Sequence, residues 1–176
     1  MTTMTIPSPA AKKFRVNDQL RVLEFEGALI GEASTETTSS PRWTEIRIYK
    51  TVGGNYVVER VGVSLVYHRS DASCASGVSR PVGDVIDNDA RELEPCEHCE
   101  PGDIYRGDIS LSTRIKVETN RNSASAVPAS GLVQALTLSR PNGSEYVSNV
   151  AQAALTEAIS NDPELADALA TRTYVR

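Results

Sequence analysis

A long run of alternating polar and apolar residues is the feature that most restricts how this chain can fold. Thr44, Ile46 and Ile48 alternate with Glu45, Arg47 and Tyr49, and apolar side chains recur at every second position over 61–67. This is the period of a strand with one buried face. Between the two runs, Gly53-Gly54-Asn55 tolerates the positive φ angles of a tight turn. We therefore predict a β-hairpin from Trp43 to His68.

Other segments extend this pattern. Residues 20–30 and 109–117 also alternate, so both are predicted to be strands. Gly27 and Gly31 interrupt the first of them, which indicates a bulge or a close approach of another backbone. Residues 119–130 are rich in Ser, Asn and Ala and are interpreted as a connector.

The period becomes helical near the C-terminus. Apolar residues between Val147 and Ile159 follow the spacing of one helix face, and Ser144 is the predicted N-cap. Asp162-Pro163-Glu164 then begins a second short helix, with Leu165 and Leu169 four residues apart.

These elements predict an α+β fold: a small antiparallel sheet with a central hairpin, and a C-terminal helical segment packed on the sheet. We expect 1–13 to be a flexible tail and 14–176 a single domain, with the helices in 143–171. Hydrophobic residues make up 40% of the chain but aromatic residues only 5%. A metal that clips the loop at 68–101 would therefore help to hold such a core.

The cysteines indicate where that metal would bind. Cys96-Glu97-His98-Cys99 brings two thiolates close enough to share one ion, and thiolate and imidazole are the donors that zinc prefers. His68 ends the predicted hairpin, and Cys74 follows six residues later. His98 competes with His68 for the fourth position. We favour His68, because the end of a strand gives its side chain a fixed direction.

The residues Tyr67-His68, Cys74, Glu94-Pro95-Cys96, Cys99 and Pro101 resemble the Ada-type metal-binding element, including the variant that follows some nuclease-like bacterial proteins. The resemblance covers residues 67–101. It implies a structural zinc ion bound by His68, Cys74, Cys96 and Cys99.

Other interpretations of the cysteines remain open, including ordinary unliganded thiols. A redox role is disfavoured, because Cys96 and Cys99 lie in a turn-rich, Pro-bounded stretch rather than at a strand-to-helix junction. A catalytic zinc would need an open position and a base such as Glu94, Glu97 or Glu100. With two histidines in the chain, histidine-based triads are nearly excluded, and we predict no catalytic residues.

Charge and hydropathy limit the partners and the location. The formal net charge is −5, which disfavours nonspecific binding to nucleic acid. No apolar stretch is long enough to cross a bilayer, and 1–10 lacks the apolar segment of a signal peptide, so we expect a cytoplasmic protein without a membrane partner. The Ala-rich helix face would suit either packing on the sheet or a homodimer.

Two functions follow from the sequence. The first is a non-enzymatic interaction or regulatory protein, bacterial or from a mobile element, with an unknown protein partner and a structural zinc site. The alternative is a nucleic-acid-associated protein that uses the zinc element and a hairpin face. That face would carry Trp43, Arg47, Tyr49, Tyr56 and Arg60.

Overall fold

A computed structural model describes residues 11–18, 21–69, 74, 82–84, 93–98 and 115–170. The described strands are β1 (Lys12–Asp18), β2 (Arg21–Ser34), β3 (Arg42–Thr51), β4 (Tyr56–Ser64), β5 (Val66–Arg69), β6 (Val82–Asp84), β7 (Glu94–Pro95), β8 (Ile115–Glu118), β9 (Arg121–Val127), β10 (Thr137–Ser139) and β11 (Glu145–Val147). The helices are α1 (Leu132–Leu136), α2 (Asn149–Asn161) and α3 (Pro163–Ala170), and one 3₁₀ turn precedes α1 at Ala129–Gly131.

These elements form three sheets. The largest has the order β1-β2-β3-β4-β9, a second has the order β6-β8-β5-β7, and β10 and β11 form a two-stranded ribbon. The pairs β1–β2 and β2–β3 are antiparallel, whereas β5 and β7 are parallel. The fold is therefore roughly α+β, as the sequence predicted.

The chain divides into two compact units. The first unit holds the chain up to Thr35, then Glu45–Val61, and then everything from Asn122 onward. The second unit holds Glu36–Thr44 and Gly62–Arg121, which is the part that carries the cysteines.

The predicted hairpin is confirmed in β3 and β4, but it ends at Ser64 and not at His68, because β5 belongs to the four-stranded sheet. Its turn closes through a hydrogen bond from the Thr51 amide to the Asn55 carbonyl, at 2.8 Å. Gly54 adopts a φ of 79° there, which is the left-handed region that glycine enters without a steric penalty.

Strand β2 is irregular where the sequence contains glycine. Leu29 pairs with Tyr49 and Gly31 pairs with Ile48, so the register shifts by one residue between them. This shift is a β-bulge. The prediction of a bulge or a close backbone approach in this stretch is confirmed.

The first unit has apolar residues on both sides of its sheet. Ile46, Ile48, Tyr56 and Val58 belong to a buried cluster that also contains residues of the helices. A separate cluster contains Tyr49 and Val57, with the rings of Phe14 and Phe25 against it. Neighbouring residues of one strand thus join different clusters, because successive side chains point to opposite faces.

Helix α2 keeps the predicted apolar face, since Ala151, Ala154 and Ala158 are fully buried. The prediction that Ser144 caps it is wrong. Residues 145–147 form β11 instead, and Ser148 is the N-cap, with its side chain accepting from the Ala151 amide. The second helix begins at Pro163, as predicted.

Two further strands correct the sequence interpretation. Residues 121–127 form β9 rather than a connector, and β1 begins at Lys12. Of the predicted strand at 109–117, the structure describes 115–117, which lie in β8. The remainder of that strand, residues 1–10 of the predicted tail, and Cys99 lie outside the described residues. Within the described part of the chain, no helix is both long and apolar enough to cross a membrane.

Candidate metal centre

Strand pairing brings His68 and Cys96 together in the second unit. β5 runs parallel to β7, with Val66 beside Glu94 and Tyr67 beside Pro95. Directly after these paired residues, the Cys96 amide donates a hydrogen bond to the Tyr67 carbonyl, at 2.9 Å. Cys96 therefore lies beside His68, although the two are distant in sequence.

Cys74 completes a group of three candidate ligands. The ligand atoms of His68, Cys74 and Cys96 all lie within 4.8 Å of one another, and the two sulfur atoms are 3.5 Å apart. Two thiolates on one tetrahedral zinc ion, each with a bond of about 2.3 Å, have their sulfur atoms roughly 3.8 Å apart. The observed separation is close to that value and far from a disulfide bond of about 2.05 Å.

The group is largely shielded from solvent. His68 and Cys96 are buried, and Cys74 is half-buried. Val66, which is 2% exposed, forms a small apolar cluster with Cys96, and Cys74 packs against it. A low dielectric environment of this kind strengthens the attraction between thiolates and a cation.

Of the other two candidate ligands, the structure describes His98 but not Cys99. His98 is exposed in the turn that follows Cys96, and it is not part of the three-residue group. Cys99 lies outside the described residues, so its place at the site stays a prediction. Glu94 and Glu97, the described members of the predicted set of bases, are also exposed.

A buried carboxylate lies behind the imidazole. The side chain of Glu118 is fully buried, and its Oε1 is 2.7 Å from His68 Nε2. Arg42 donates to both oxygen atoms, from Nη2 to Oε1 at 2.7 Å and from Nε to Oε2 at 3.0 Å. Ser64 Oγ donates to Oε2 at 2.7 Å. The carboxylate thus receives hydrogen bonds on both of its oxygen atoms.

These contacts keep Glu118 ionised. Burial alone would raise its pKa, but the hydrogen bonds from Arg42, Ser64 and His68 outweigh burial and lower the pKa of Glu118 to about 2. Hydrogen bonding to Glu118 raises the pKa of Arg42 above its usual value. Glu118 is therefore ionised at neutral pH.

The donor set has a clear chemical preference. Two sulfur atoms and one imidazole nitrogen suit zinc, because thiolate and imidazole are its common ligands in proteins, whereas calcium and magnesium need oxygen donors. The His68, Cys74 and Cys96 side chains lie close enough together to bind a metal ion.

The residues of the predicted hairpin face do not share one exposed surface. Tyr49 and Tyr56 are buried in different clusters. Arg47 pairs with Glu45 and Glu59, and Arg60 donates to the Leu136 carbonyl. Trp43 is half-buried.

Sequence reasoning missed Arg42, Ser64 and Glu118. No local motif singles them out, because each lies at the end of a different strand and the three meet only in the folded chain. The alternation at 115–117 predicts that Ile115 and Val117 share one face of the strand. Lys116 and Glu118 then share the opposite face.

Comparisons of this chain with protein-family models, with curated proteins and with solved structures find no match.

Proposed function

We propose that this chain is a non-enzymatic interaction or regulatory protein whose second unit is held together by a structural zinc ion. The proposed ligands are His68, Cys74, Cys96 and Cys99. One observation carries the proposal: the ligand atoms of the first three lie within 4.8 Å of one another. The resemblance of residues 67–101 to the Ada-type zinc element also supports the proposal.

A structural role is favoured over a catalytic one by the ligand count. Four protein ligands fill a tetrahedral zinc ion and leave no position for water. Glu118, whose carboxylate contacts His68, already accepts hydrogen bonds from Arg42 and Ser64. It is therefore not free to act as a general base.

The zinc ion would connect elements that are short in the described part of the second unit. β7 has two residues and β5 has four, and the apolar cluster beside them consists of Val66, Cys96 and Cys74. Metal binding of this kind contributes directly to folding free energy, because the unfolded chain does not assemble the ligands.

A protein is the proposed class of partner, and nucleic acid is the alternative. The formal net charge of −5 opposes attraction to phosphate. Arg47 is engaged by two carboxylates, which lowers the positive charge that the hairpin offers. Salt-dependent oligonucleotide binding that weakens in Arg47→Ala or Arg60→Ala would favour the alternative.

Metal analysis of the full-length protein, purified without chelators, tests the site. We expect about one zinc ion per chain in the wild type and loss of that zinc in Cys96→Ser. Cys99→Ser should lose zinc as well if Cys99 is the fourth ligand. His98→Asn is the matched control, because this imidazole is exposed and outside the group, and it should keep its zinc.

Two results would contradict the proposal. A wild-type protein that is folded but carries no zinc, and takes up none on titration, would exclude the metal site. If His98→Asn loses zinc and Cys99→Ser keeps it, the fourth ligand is His98 and not Cys99.

A further inference from the structure

We propose that Arg60, Arg140 and Tyr146 form a docking surface for an acidic segment of a partner protein. The inference rests on the proposed role as an interaction protein, and it names the chemistry of the partner. It does not depend on the zinc site, because all three residues lie in the first unit. These three residues are called the arginine–tyrosine surface below.

The β10–β11 ribbon places Arg140 against the ring of Tyr146. Tyr146 pairs with Leu138 across the ribbon, and Arg140 lies two positions after Leu138, so the three side chains share a face. The guanidinium carbon of Arg140 is 4.6 Å from the centre of the Tyr146 ring, which is within the range of a cation–π contact. Arg140 is exposed and Tyr146 is 37% exposed, so both are accessible to a partner.

Strand β4 brings Arg60 to the same place. Tyr56 and Val58 belong to the apolar cluster that contains residues of the helices, and Arg60 follows them in the same alternation, so it lies on that face. Arg60 is half-buried, and its Nη2 donates to the Leu136 carbonyl at 3.2 Å, at the end of α1. Burial lowers the pKa of Arg60, and Tyr146 is close enough to act on that pKa in the opposite direction. Arg60 and Tyr146 are therefore neighbours.

These two arginines lack the acidic partners that other arginines have. Ion pairs with Asp or Glu are formed by Arg15, Arg21, Arg42 and Arg47. Within the described part of the chain, no carboxylate pairs with Arg60 or Arg140. A guanidinium group stays charged in a folded protein, and a charge removed from water costs free energy unless it is paired. An anionic group of a partner would supply the missing pair for Arg60.

The arrangement suits a carboxylate of a protein better than a nucleic acid. Arg and Tyr are enriched among the residues that dominate the affinity of protein interfaces, and a guanidinium group can bind a carboxylate through two parallel hydrogen bonds. Binding of a nucleic-acid strand instead needs a groove of positive charge that follows the phosphate backbone. Two guanidinium groups on a chain with a formal net charge of −5 do not supply such a groove. The expected occupant is therefore a segment that contains Asp or Glu.

Peptide titrations followed by NMR spectroscopy of the full-length protein test the surface. The probe is a synthetic peptide with a Glu-Leu-Glu core between Gly-Ser ends, and the same peptide with a Gln-Leu-Gln core is its uncharged counterpart. We expect the Nε–Hε signals of Arg60 and Arg140 to shift with the Glu peptide and not with the Gln peptide. Arg60→Gln, Arg140→Gln and Tyr146→Ala should each weaken binding of the Glu peptide by about 5-fold or more.

Arg15→Gln is the matched control. It removes the same charge from an exposed arginine that already pairs with Glu24, so it should leave the affinity for the Glu peptide unchanged. If Arg60→Gln does not fold, Arg140→Gln and Tyr146→Ala decide the question, because both residues are exposed.

Three results overturn the inference: no shift at either arginine with about 1 mM Glu peptide, equal shifts with the Gln peptide, or equal weakening by Arg15→Gln. Tighter binding of a single-stranded oligonucleotide to the same three residues overturns the protein partner in favour of nucleic acid. Zinc content, measured on the same samples, separates this inference from the metal site. A chain without zinc that binds the Glu peptide keeps the surface and loses the metal site, whereas a zinc-loaded chain that does not bind it loses the surface alone.

Discussion

At the scale of single residues, Asp162 shows how one buried carboxylate connects a helix end to the sheet of the first unit. It is 5% exposed and accepts hydrogen bonds from Lys50 Nζ at 2.9 Å and from the Tyr56 hydroxyl at 2.7 Å. Lys50 also bonds Glu164 at the start of α3. A buried charge is tolerated in a fold when it is paired and hydrogen-bonded in this way.

Because of this contact, the Tyr56 hydroxyl is expected to lose its proton at a higher pH than an ordinary tyrosine does. Burial, followed by the hydrogen bond to Asp162, raises the pKa of Tyr56 to about 12. The folded state thus holds this proton more tightly than the unfolded state does, so the associated stability is complete below about pH 10 and is lost as the pH rises through about 12. Tyrosinate absorbance and urea denaturation, measured over that range, check the prediction.

Tyr56→Phe supplies the control for this prediction. It removes a hydrogen bond to a charged group, which costs about 1.5–3 kcal/mol at neutral pH, and it should flatten the alkaline loss of stability. Burial also raises the pKa of Tyr49, so part of the alkaline loss should persist in the variant. An alkaline stability profile identical to that of the wild type would contradict the assignment to Tyr56.

At the scale of elements, β2 and α2 meet at the bulge in β2. Ile30 is skipped in the pairing of β2 with β3, and Glu32 lies past the residues of β2 that pair with β1. Side chains of α2 bond backbone groups of both residues. Asn161 donates to the Ile30 carbonyl at 2.9 Å, and the Glu32 amide donates to Glu157 at 2.8 Å. The strand irregularity and the helix position therefore depend on each other.

Gly31 allows this close approach. A Cβ atom at Gly31 would lie 2.3 Å from the Ala154 carbonyl oxygen and 2.8 Å from the Ala158 nitrogen, and both are backbone atoms that cannot rotate away. We expect Gly31→Ala to destabilise the protein by about 1–3 kcal/mol, the usual cost of overpacking. Urea denaturation followed by far-UV circular dichroism measures the change.

Gly53→Ala is the matched control for Gly31→Ala. The nearest atom to its added Cβ would be Thr51 Oγ1 at 3.9 Å, so the change in unfolding free energy should stay within about 0.5 kcal/mol. Equal effects of the two substitutions would show that the contact between β2 and α2 does not depend on the glycine.

At the scale of the whole molecule, the two units have different sources of stability. The first unit has a large apolar cluster that includes Ile46, Ile48 and the buried alanines of α2. In the second unit, the described apolar cluster consists of Val66 and Cys96 with Cys74 against them. The proposed metal should therefore matter far more to the second unit than to the first.

Hydrogen exchange with and without a chelator tests this difference. The amides of Glu94 and Cys96 donate to carbonyls of 65 and 67, and zinc should protect them. If free zinc exceeds its dissociation constant by about 100-fold, chelation should speed exchange at these amides by about the same factor. The amides of Ala154 and Ala158 in α2 should be unaffected. Equal loss of protection in both units would contradict the prediction.

The sequence by itself determined the elements whose signals are local. The hairpin of β3 and β4 follows from period-two alternation around a turn that contains Gly54, and the apolar face of α2 follows from helical spacing. The class of the fold and the thiol-rich character of the site were also predictable, because alternation, glycine position and cysteine content do not depend on distant residues.

Tertiary structure decided what depends on long-range pairing. Ser144 and Ser148 are both good N-caps by residue type, and pairing of β10 with β11 assigns residues 145–147 to a strand and leaves the cap to Ser148. β9 has little intrinsic strand preference and forms beside β4. The same holds for the candidate site. The register of β5 and β8 brings Glu118 to His68, and Arg42 reaches Glu118 from β3. No spacing in the sequence encodes these contacts.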